Sequence, residues 1–222
     1  MYDRIAPLFS ATREFNWADA EVLAEYIKPG SQVLDLGCGN GRLYQILAKK
    51  QVKYVGLDQS AELIKLAKEK NPGQEFVVGD MTSLDFSAQL FDAVIGIASF
   101  NHIPGQELQL KTLKEMARVL KPGGQILMTN WNLHSESAQK NIKKHNWKNW
   151  QETPGQGIDV LVPWKNPQAE ILGERFYHGF TAEELTNLAQ SANLEVVDIF
   201  YSHKGQRLDQ TTGANILSIF KK

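Results

Sequence analysis

Glycines and an acidic residue combine in one short stretch near the beginning of the chain. The segment GCGNG, residues 37–41, places Gly37, Gly39 and Gly41 directly after the apolar run VLDL and directly before a helical pattern. Backbone without side chains lets a ligand approach to contact distance, and a helix that begins there offers free N–H groups and the positive end of its dipole. Glycine-rich turns are common in ordinary strand-to-helix connections, so the loop alone is weak support for a binding site.

Three aspartates strengthen the case. Asp35 lies just before the loop, Asp58 ends a second strand-like run 23 positions later, and Asp80 ends a third run 22 positions after that. A carboxylate at the end of the second strand is well placed to accept both hydroxyls of a ribose. A pyrophosphate cofactor would favour Gly-x-Gly-x-x-Gly, and an acid beside the loop disfavours phosphate. The pattern therefore indicates a cationic or zwitterionic ligand.

The elements that must position these residues alternate between strand and helix. Strand-like runs cover residues 31–37, 52–58, 74–80, 91–99 and 124–131, and helical patterns lie between them. Such alternation predicts a doubly wound α/β fold, in which a parallel sheet is covered by helices on both faces and ligands bind beyond the carboxyl ends of the strands. Two final runs, residues 194–203 and 213–222, are expected to pair as a terminal antiparallel hairpin.

Composition limits the classes of protein that remain. At 222 residues and 42% hydrophobic content, the chain predicts a single domain over residues 1–222, with an insertion at about 132–180. Lys and Arg number 24 against 25 Asp and Glu, so no global field attracts nucleic acid or an anionic membrane. Cys38 is the sole cysteine, and no apolar run approaches the roughly 20 residues of a membrane span. We expect a soluble, cytoplasmic protein without a metal site.

The motifs together resemble a known family. "VLDLGCGNGRL", "GLDQSAELI", "GDMTSLDF", "FDAVIGIASFNHI" and "LKEMARVLKPGGQIL" are similar to successive motifs of class I S-adenosylmethionine-dependent methyltransferases. The resemblance covers roughly the first 130 residues. It implies a seven-stranded, mostly parallel sheet, S-adenosyl-L-methionine as cofactor, and roles for individual residues. By this resemblance the methionine part is held by Asp35 and the loop, the ribose by Asp58 with Gln59, and the adenine by Asp80 with Met81. The complete implied cofactor set is Asp35, Gly37, Cys38, Gly39, Asn40, Gly41, Asp58, Gln59, Asp80, Met81 and Ala98.

The flanking segments resemble a narrower group. "YDRIAPLFSATR" (2–13), "DVLVPWK" (159–165) and "RFYHGFTAEEL" (175–185) are similar to segments of the methyltransferases that esterify the carboxymethyl group on wobble uridine of tRNA. This resemblance implies the tRNA anticodon loop as substrate and, as in eukaryotic members, a small activating partner subunit. The chain departs from the family in having Asn101-His102 where the family has His-His, and in not being basic.

The implied acceptor determines which side chains matter. A carboxylate with a reference pKa of about 4 is already ionised at neutral pH, so it needs a cationic clamp and a dry pocket instead of a general base. Arg13 and Arg175 are the candidates for the clamp, because guanidinium binds carboxylate in a bidentate manner. His102, Tyr177 and His178, together with Trp164, would shape the pocket or hydrogen-bond the uracil. For a phenol, amine or hydroxyl acceptor, His102 or His178 would be the general base.

Structural interpretations of the same residues stay open. Arg175 could form a surface ion pair with Glu174 or Glu170, and Tyr177 and His178 could be packed strand residues. The basic and aromatic segment 140–150 suits phosphate contact and base stacking, but it could equally be a solvated helix. A methyltransferase of a small carboxylic acid or other metabolite is the alternative function, and a non-catalytic cofactor-binding protein is a third.

Overall fold

The computed structural model describes residues 1–12, 18–145, 147–152 and 158–222, with the backbone alone for 148–152. These residues form two sheets, and the larger has eight strands in the order β10-β9-β11-β5-β4-β1-β2-β3. The strands are β1 (Gln32–Leu36), β2 (Lys53–Asp58), β3 (Glu75–Val78), β4 (Phe91–Ile97), β5 (Leu120–Trp131), β6 (Lys148–Glu152), β7 (Ile158–Lys165), β8 (Ile171–Gly179), β9 (Glu195–His203), β10 (Gln206–Leu208) and β11 (Asn215–Lys221).

The large sheet is doubly wound, as the alternation of patterns predicts. Strand β1 pairs in parallel with both β2 and β4, and the outer strands β3 and β5 continue the parallel order. Strand β11 runs antiparallel to both β5 and β9, which confirms the terminal hairpin. The order of connection reverses between β1 and β4, so the carboxyl ends of these two strands border the crevice where ligands bind in such sheets.

The predicted count of seven strands is wrong by one. The eighth strand, β10, pairs antiparallel with the end of β9 in the segment that was expected to be a loop. Lys204 and Gly205 join the two strands with φ angles of 52° and 78°. Positive φ at both central residues is the geometry of the tight hairpin turn that matches the twist of the strands. The Lys-Gly dipeptide is a weaker turn signal than Asn-Gly, so the short strand is difficult to predict from the sequence.

Helices cover both faces of the large sheet. They are α1 (Tyr2–Ala11), α2 (Ala18–Ala24), α3 (Leu43–Leu47), α4 (Ala61–Lys70), α5 (Gln106–Val119), α6 (Glu136–Lys144) and α7 (Ala182–Ser191), with 3-10 turns at Ala48–Lys50 and Phe100–His102. Leu113 of α5 and Leu185 of α7 belong to one buried cluster, and Leu47 of α3 and Ile64 of α4 belong to a second. Ser60 caps α4, and Thr181 and Glu184 form a capping box at the start of α7.

A smaller antiparallel sheet, β6-β7-β8, follows the fifth strand. It is joined to the ligand end of the large sheet, because the backbone carbonyl of Phe176 in β8 bonds the His102 ring just after β4. Helix α1 packs against α4, where Asp3 accepts a hydrogen bond of 2.6 Å from the Ser60 hydroxyl. One helix and one strand from outside the large sheet therefore close over its carboxyl edge. The division into a core and a substrate-side insertion at 132–180 stays a prediction.

Candidate active site

A cavity of about 660 Å³ opens at the carboxyl edge of the large sheet. It is bounded by the loop after β1 and the ends of β2, β3 and β4, and by side chains of α1, of the 3-10 turn at 100–102 and of β8. Ten of the eleven predicted cofactor residues line it: Asp35, Gly37, Cys38, Gly39, Asn40, Asp58, Gln59, Asp80, Met81 and Ala98. Of the predicted acceptor residues, His102 and Tyr177 line it as well.

The three loop glycines serve different purposes. Gly37 has φ +72°, and a Cβ there would lie 2.4 Å from Cβ of Ser99, so close packing excludes any side chain. Gly41 does not line the cavity, and a Cβ on it would meet Asn71 Nδ2 at 2.7 Å and the Phe76 ring at 2.8 Å. Gly39 differs, since the nearest atom to its added Cβ is Phe9 Cε1 at 3.7 Å. A side chain at Gly39 would therefore extend into the cavity.

Asp58 is held in place by the loop itself. Its Oδ2 accepts a hydrogen bond from the Gly39 N–H and its Oδ1 accepts one from the Ser60 N–H, both at 2.9 Å. Burial raises the pKa of Asp58, and the two backbone N–H groups oppose that increase. Each carboxylate oxygen can accept a second hydrogen bond. The fixed carboxylate thus keeps capacity for two hydroxyl donors at the end of β2.

Asp35 is the most deeply buried acid of the site. It is 2% exposed, and its Oδ2 accepts a hydrogen bond of 2.6 Å from the Tyr54 hydroxyl. Burial raises the pKa of Asp35 to about 7; the Tyr54 hydrogen bond lowers it and the charge of Asp58 raises it further. A cationic group beside Asp35 would favour its ionised form. Burial also raises the pKa of the Cys38 thiol, which disfavours its thiolate form.

An aromatic wall faces the loop across the cavity. The Tyr177 ring stacks on Trp131 with a centroid separation of 4.3 Å and contacts the His102 ring, also at 4.3 Å. His102 Nδ1 lies 2.8 Å from the carbonyl oxygen of Phe176, and its Nε2 lies 3.1 Å from the Tyr2 hydroxyl. Because a carbonyl only accepts, Nδ1 carries the proton and Nε2 accepts from Tyr2. Burial lowers the pKa of His102 to about 4, so the ring is neutral at neutral pH.

Arg175 lies behind this wall and does not itself line the cavity. It is 7% exposed, its Nη1 donates to the Tyr177 hydroxyl at 2.8 Å, and its guanidinium lies 4.7 Å from the centre of the Trp164 ring. Its Nε has no acceptor, and within the described ranges no carboxylate forms an ion pair with it. The surface ion pair with Glu174 or Glu170 is therefore not formed.

His178 and Trp164, like Arg175, do not line the cavity. His178 bonds Asp159 through Nδ1 and Glu184 through Nε2, the latter at 2.8 Å. Although burial lowers the pKa of His178, the two carboxylates more than offset this and raise it above its ordinary value. This environment matches the packed-strand interpretation of His178. Arg13 lies outside the described residues, as does part of segment 140–150.

The structure adds residues to the site that the sequence did not assign to it. Tyr2 and Phe9 of α1 line the cavity, and so does Trp131 at the end of β5. An aromatic residue at the carboxyl end of a central parallel strand was a usable signal for Trp131. The described ranges contain no group of three His, Cys, Asp or Glu side chains that could hold a metal ion, and none of their helices could cross a bilayer.

Comparison with known proteins identifies the family. A family profile described as "Methyltransferase domain" matches residues 27–193. The chain belongs to the methyltransferase domain family. A tRNA (carboxymethyluridine(34)-5-O)-methyltransferase of Arabidopsis thaliana is 38% identical over 138 residues, which is 62% of this chain and 33% of that protein. The chain therefore spans about a third of the length of this relative.

Two further relatives match this methyltransferase domain over most of their length. The protein of the same name from Schizosaccharomyces pombe is 26% identical over 219 residues, covering 90% of each chain. The solved structure of a SAM-dependent methyltransferase from Methanosarcina mazei aligns with a TM-score of 0.71 and 25% identity, covering 89% of this chain and 95% of that one. The class I methyltransferase fold is thus confirmed, with an eighth strand added at the edge of the sheet.

Proposed function

We propose that this methyltransferase domain transfers a methyl group from S-adenosyl-L-methionine to the carboxymethyl group of wobble uridine in tRNA. The observation that carries the proposal is the buried guanidinium of Arg175, which has no carboxylate partner in the described ranges. Removing a charge from water without pairing it is strongly unfavourable, so a protein rarely keeps such a group unless a ligand completes it. A carboxylate is the group that guanidinium binds best.

The residues at the cavity fit the cofactor. The space over Gly39 would be filled by a Cβ, and about 660 Å³ is an ordinary volume for a small-molecule site. Asp58 would accept the ribose hydroxyls, Asp35 would face the positive charge of the methionine part, and Asp80 with Met81 would border the adenine. When bound, the cofactor supplies a methyl group on a sulfonium, which an ionised carboxylate takes up without losing a proton.

The environment of His102 supports an acidic acceptor. A carboxylate needs no general base, and His102 is a poor one, because its pKa is lowered to about 4 and its Nε2 already accepts from Tyr2. His178 does not line the cavity, and both its nitrogens bond carboxylates. A phenol, amine or hydroxyl acceptor would find no suitable base among these two histidines.

Relatives named for carboxymethyluridine methylation support tRNA as the substrate. The alternative is a small-molecule carboxylic acid, and the near-neutral balance of 24 basic and 25 acidic residues favours it. Both acceptors would use Arg175 in the same way. Binding to tRNA that weakens steeply with added salt would favour the first. The activating subunit and the cytoplasmic location stay predictions.

Mass spectrometry of nucleosides tests the proposal directly. The protein is incubated with methyl donor and tRNA bearing 5-carboxymethyluridine, and the methyl ester is the expected product. Absence of the ester, together with methylation of free small acids, would support the alternative instead.

Substitution of Arg175 tests the clamp. Because hydrogen bonds to charged groups contribute about 1.5–3 kcal/mol, Arg175→Met should lower kcat/KM for the acceptor by roughly ten- to a hundredfold and leave the affinity for S-adenosylhomocysteine unchanged. Arg207→Met is the matched control, since Arg207 is exposed and pairs with Asp198 away from the cavity. Equal loss of acceptor use and cofactor affinity in Arg175→Met would mean that Arg175 is structural.

A further inference from the structure

Trp164 and Arg175 occupy one face of the small sheet. In the β7–β8 ladder Val162 is opposite Arg175, and Trp164 lies two residues beyond Val162. Alternate residues of a strand share a face, so Trp164, Arg175 and Tyr177 project to the same side. The guanidinium lies 4.7 Å from the centre of the indole, which confirms that the two side chains are in contact.

One aromatic ring lies between this face and the glycine loop. Phe9 of α1 lies 5.7 Å from the Trp164 ring, measured between centroids, and it is also the nearest group to the Cβ position of Gly39. Phe9 lines the cavity, as does Tyr177, the hydroxyl of which accepts from Arg175. Trp164 and Arg175 do not line the cavity themselves; they lie behind Phe9 and Tyr177 and contact these two lining residues.

Both side chains carry a buried N–H group without an acceptor. These are Nε1 of Trp164 and Nε of Arg175, and no atom of the described residues accepts a hydrogen bond from either. A buried donor left unpaired is unfavourable by about 1–3 kcal/mol, so two of them on side chains in contact require an explanation. Two N–H donors that both lack an acceptor are complementary to a group that accepts hydrogen bonds and donates none. An ionised carboxylate has two such oxygens and no proton to donate.

We propose that Trp164 is a specificity-determining residue, with its indole N–H donating to the acceptor carboxylate beside Arg175. This inference rests on the proposed function. It adds that the protein recognises both oxygens of the acceptor carboxylate as well as its charge. A carboxamide would turn an NH₂ group toward one of the two donors, leaving that donor unpaired. The subsite therefore selects the acid over the otherwise identical amide.

Replacement of the indole N–H alone is the sharpest test. Site-specific incorporation of 3-benzothienylalanine at Trp164 exchanges the N–H for sulfur and keeps the shape of the ring. We expect KM for tRNA bearing 5-carboxymethyluridine to rise about tenfold or more, and the preference for this nucleoside over its carboxamide to fall by a similar factor. The affinity for S-adenosylhomocysteine should not change, because Trp164 is not a lining residue of the cavity and Phe9 lies between it and Gly39.

The same exchange at Trp147 is the matched control. Trp147 packs beside the buried cluster of Leu133 and Val160 and is not a lining residue of the cavity. It should leave the preference for the acid over the amide as in the wild type. The role of Trp164 is overturned if its analogue keeps the wild-type KM and acid preference while Arg175→Met raises KM and removes the preference. The assignment of Arg175 as the clamp would then stand.

A direct binding measurement separates this inference from the proposed function. Calorimetry measures the affinity of the nucleoside 5-carboxymethyluridine and of its carboxamide in the presence of S-adenosylhomocysteine. If wild-type protein fails to methylate the tRNA, the proposed function fails. The subsite still stands when the acid binds more tightly than the amide and the Trp164 analogue removes the difference. Equal affinities, or no binding of the acid, would overturn it.

Discussion

Replacement of Gly39 by alanine distinguishes the space that the cofactor needs from the backbone strain of the loop. Gly39 has φ +56°, and a left-handed conformation is unfavourable for alanine by about 1–2 kcal/mol. The added Cβ meets only Phe9 Cε1, at an ordinary contact distance of 3.7 Å, so no steric clash adds to this value. The free energy of unfolding should therefore decrease by about 1–2 kcal/mol and no more.

Gly39→Ala should also lower the affinity for the cofactor. The methyl group would occupy space that the cofactor needs, and an extra methyl in a well-packed site is unfavourable by about 1–3 kcal/mol. At about 1.4 kcal/mol for each factor of ten, the affinity for S-adenosylhomocysteine should fall about five- to 150-fold. Urea unfolding measures the first quantity and isothermal titration calorimetry the second.

Two other glycines supply the controls. Gly73 has φ +86° and no heavy atom within 4 Å of its Cβ position, so Gly73→Ala carries the backbone strain without reaching the cavity. Gly37→Ala adds a Cβ 2.4 Å from Ser99 and should unfold more easily than either. Wild-type affinity in Gly39→Ala would refute the assignment of the space over Gly39 to the cofactor. So would a loss of affinity in Gly73→Ala as large as that in Gly39→Ala.

Two further predictions concern titrating groups. Asp35 has a pKa of about 7 and a cationic ligand favours its ionised form, so calorimetric affinity for S-adenosylmethionine should decrease below pH 7, by up to about tenfold per pH unit, and Asp35→Asn should abolish this dependence. His178→Gln leaves two partly buried carboxylates without their counter-charge and should lower the free energy of unfolding by up to about 3 kcal/mol. Because the pKa of His178 is raised on folding, its contribution is complete below the unfolded value of 6.5 and is lost as pH rises through the folded value. A stability difference between wild type and His178→Gln that is constant from pH 5 to 9 would contradict that assignment.

The cofactor half of the site was predictable because its signals are local. Asp35, Asp58 and Asp80 each lie within two residues of the carboxyl end of a strand, and parallel strands bring such ends to one edge of the sheet. Ten of the eleven predicted residues line the cavity for this reason. Gly41 is the exception, since a glycine required for packing and one required for a ligand look the same in a sequence.

The acceptor half was only partly predictable. The segment "RFYH" at 175–178 offers an arginine, a tyrosine and a histidine as equal candidates, but strand alternation sends Arg175 and Tyr177 to one face and His178 to the other. The sequence shows this alternation. Which face meets α1, and which meets Asp159 and Glu184, depends on how the small sheet packs.

By itself, the sequence determined the fold class, the edge of the sheet that binds the ligand and the residues around the glycine loop. These features depend on the periodicity of apolar residues, on turn residues and on strand ends, which are all local along the chain. Only the tertiary structure decided the acceptor wall. Tyr2 bonds His102 across 100 positions, and His102 bonds Phe176 across 74. Such pairs have no common local pattern. They arise when α1 and the small sheet close over the same edge, and that closure also buries Arg175 without a carboxylate partner in the described ranges.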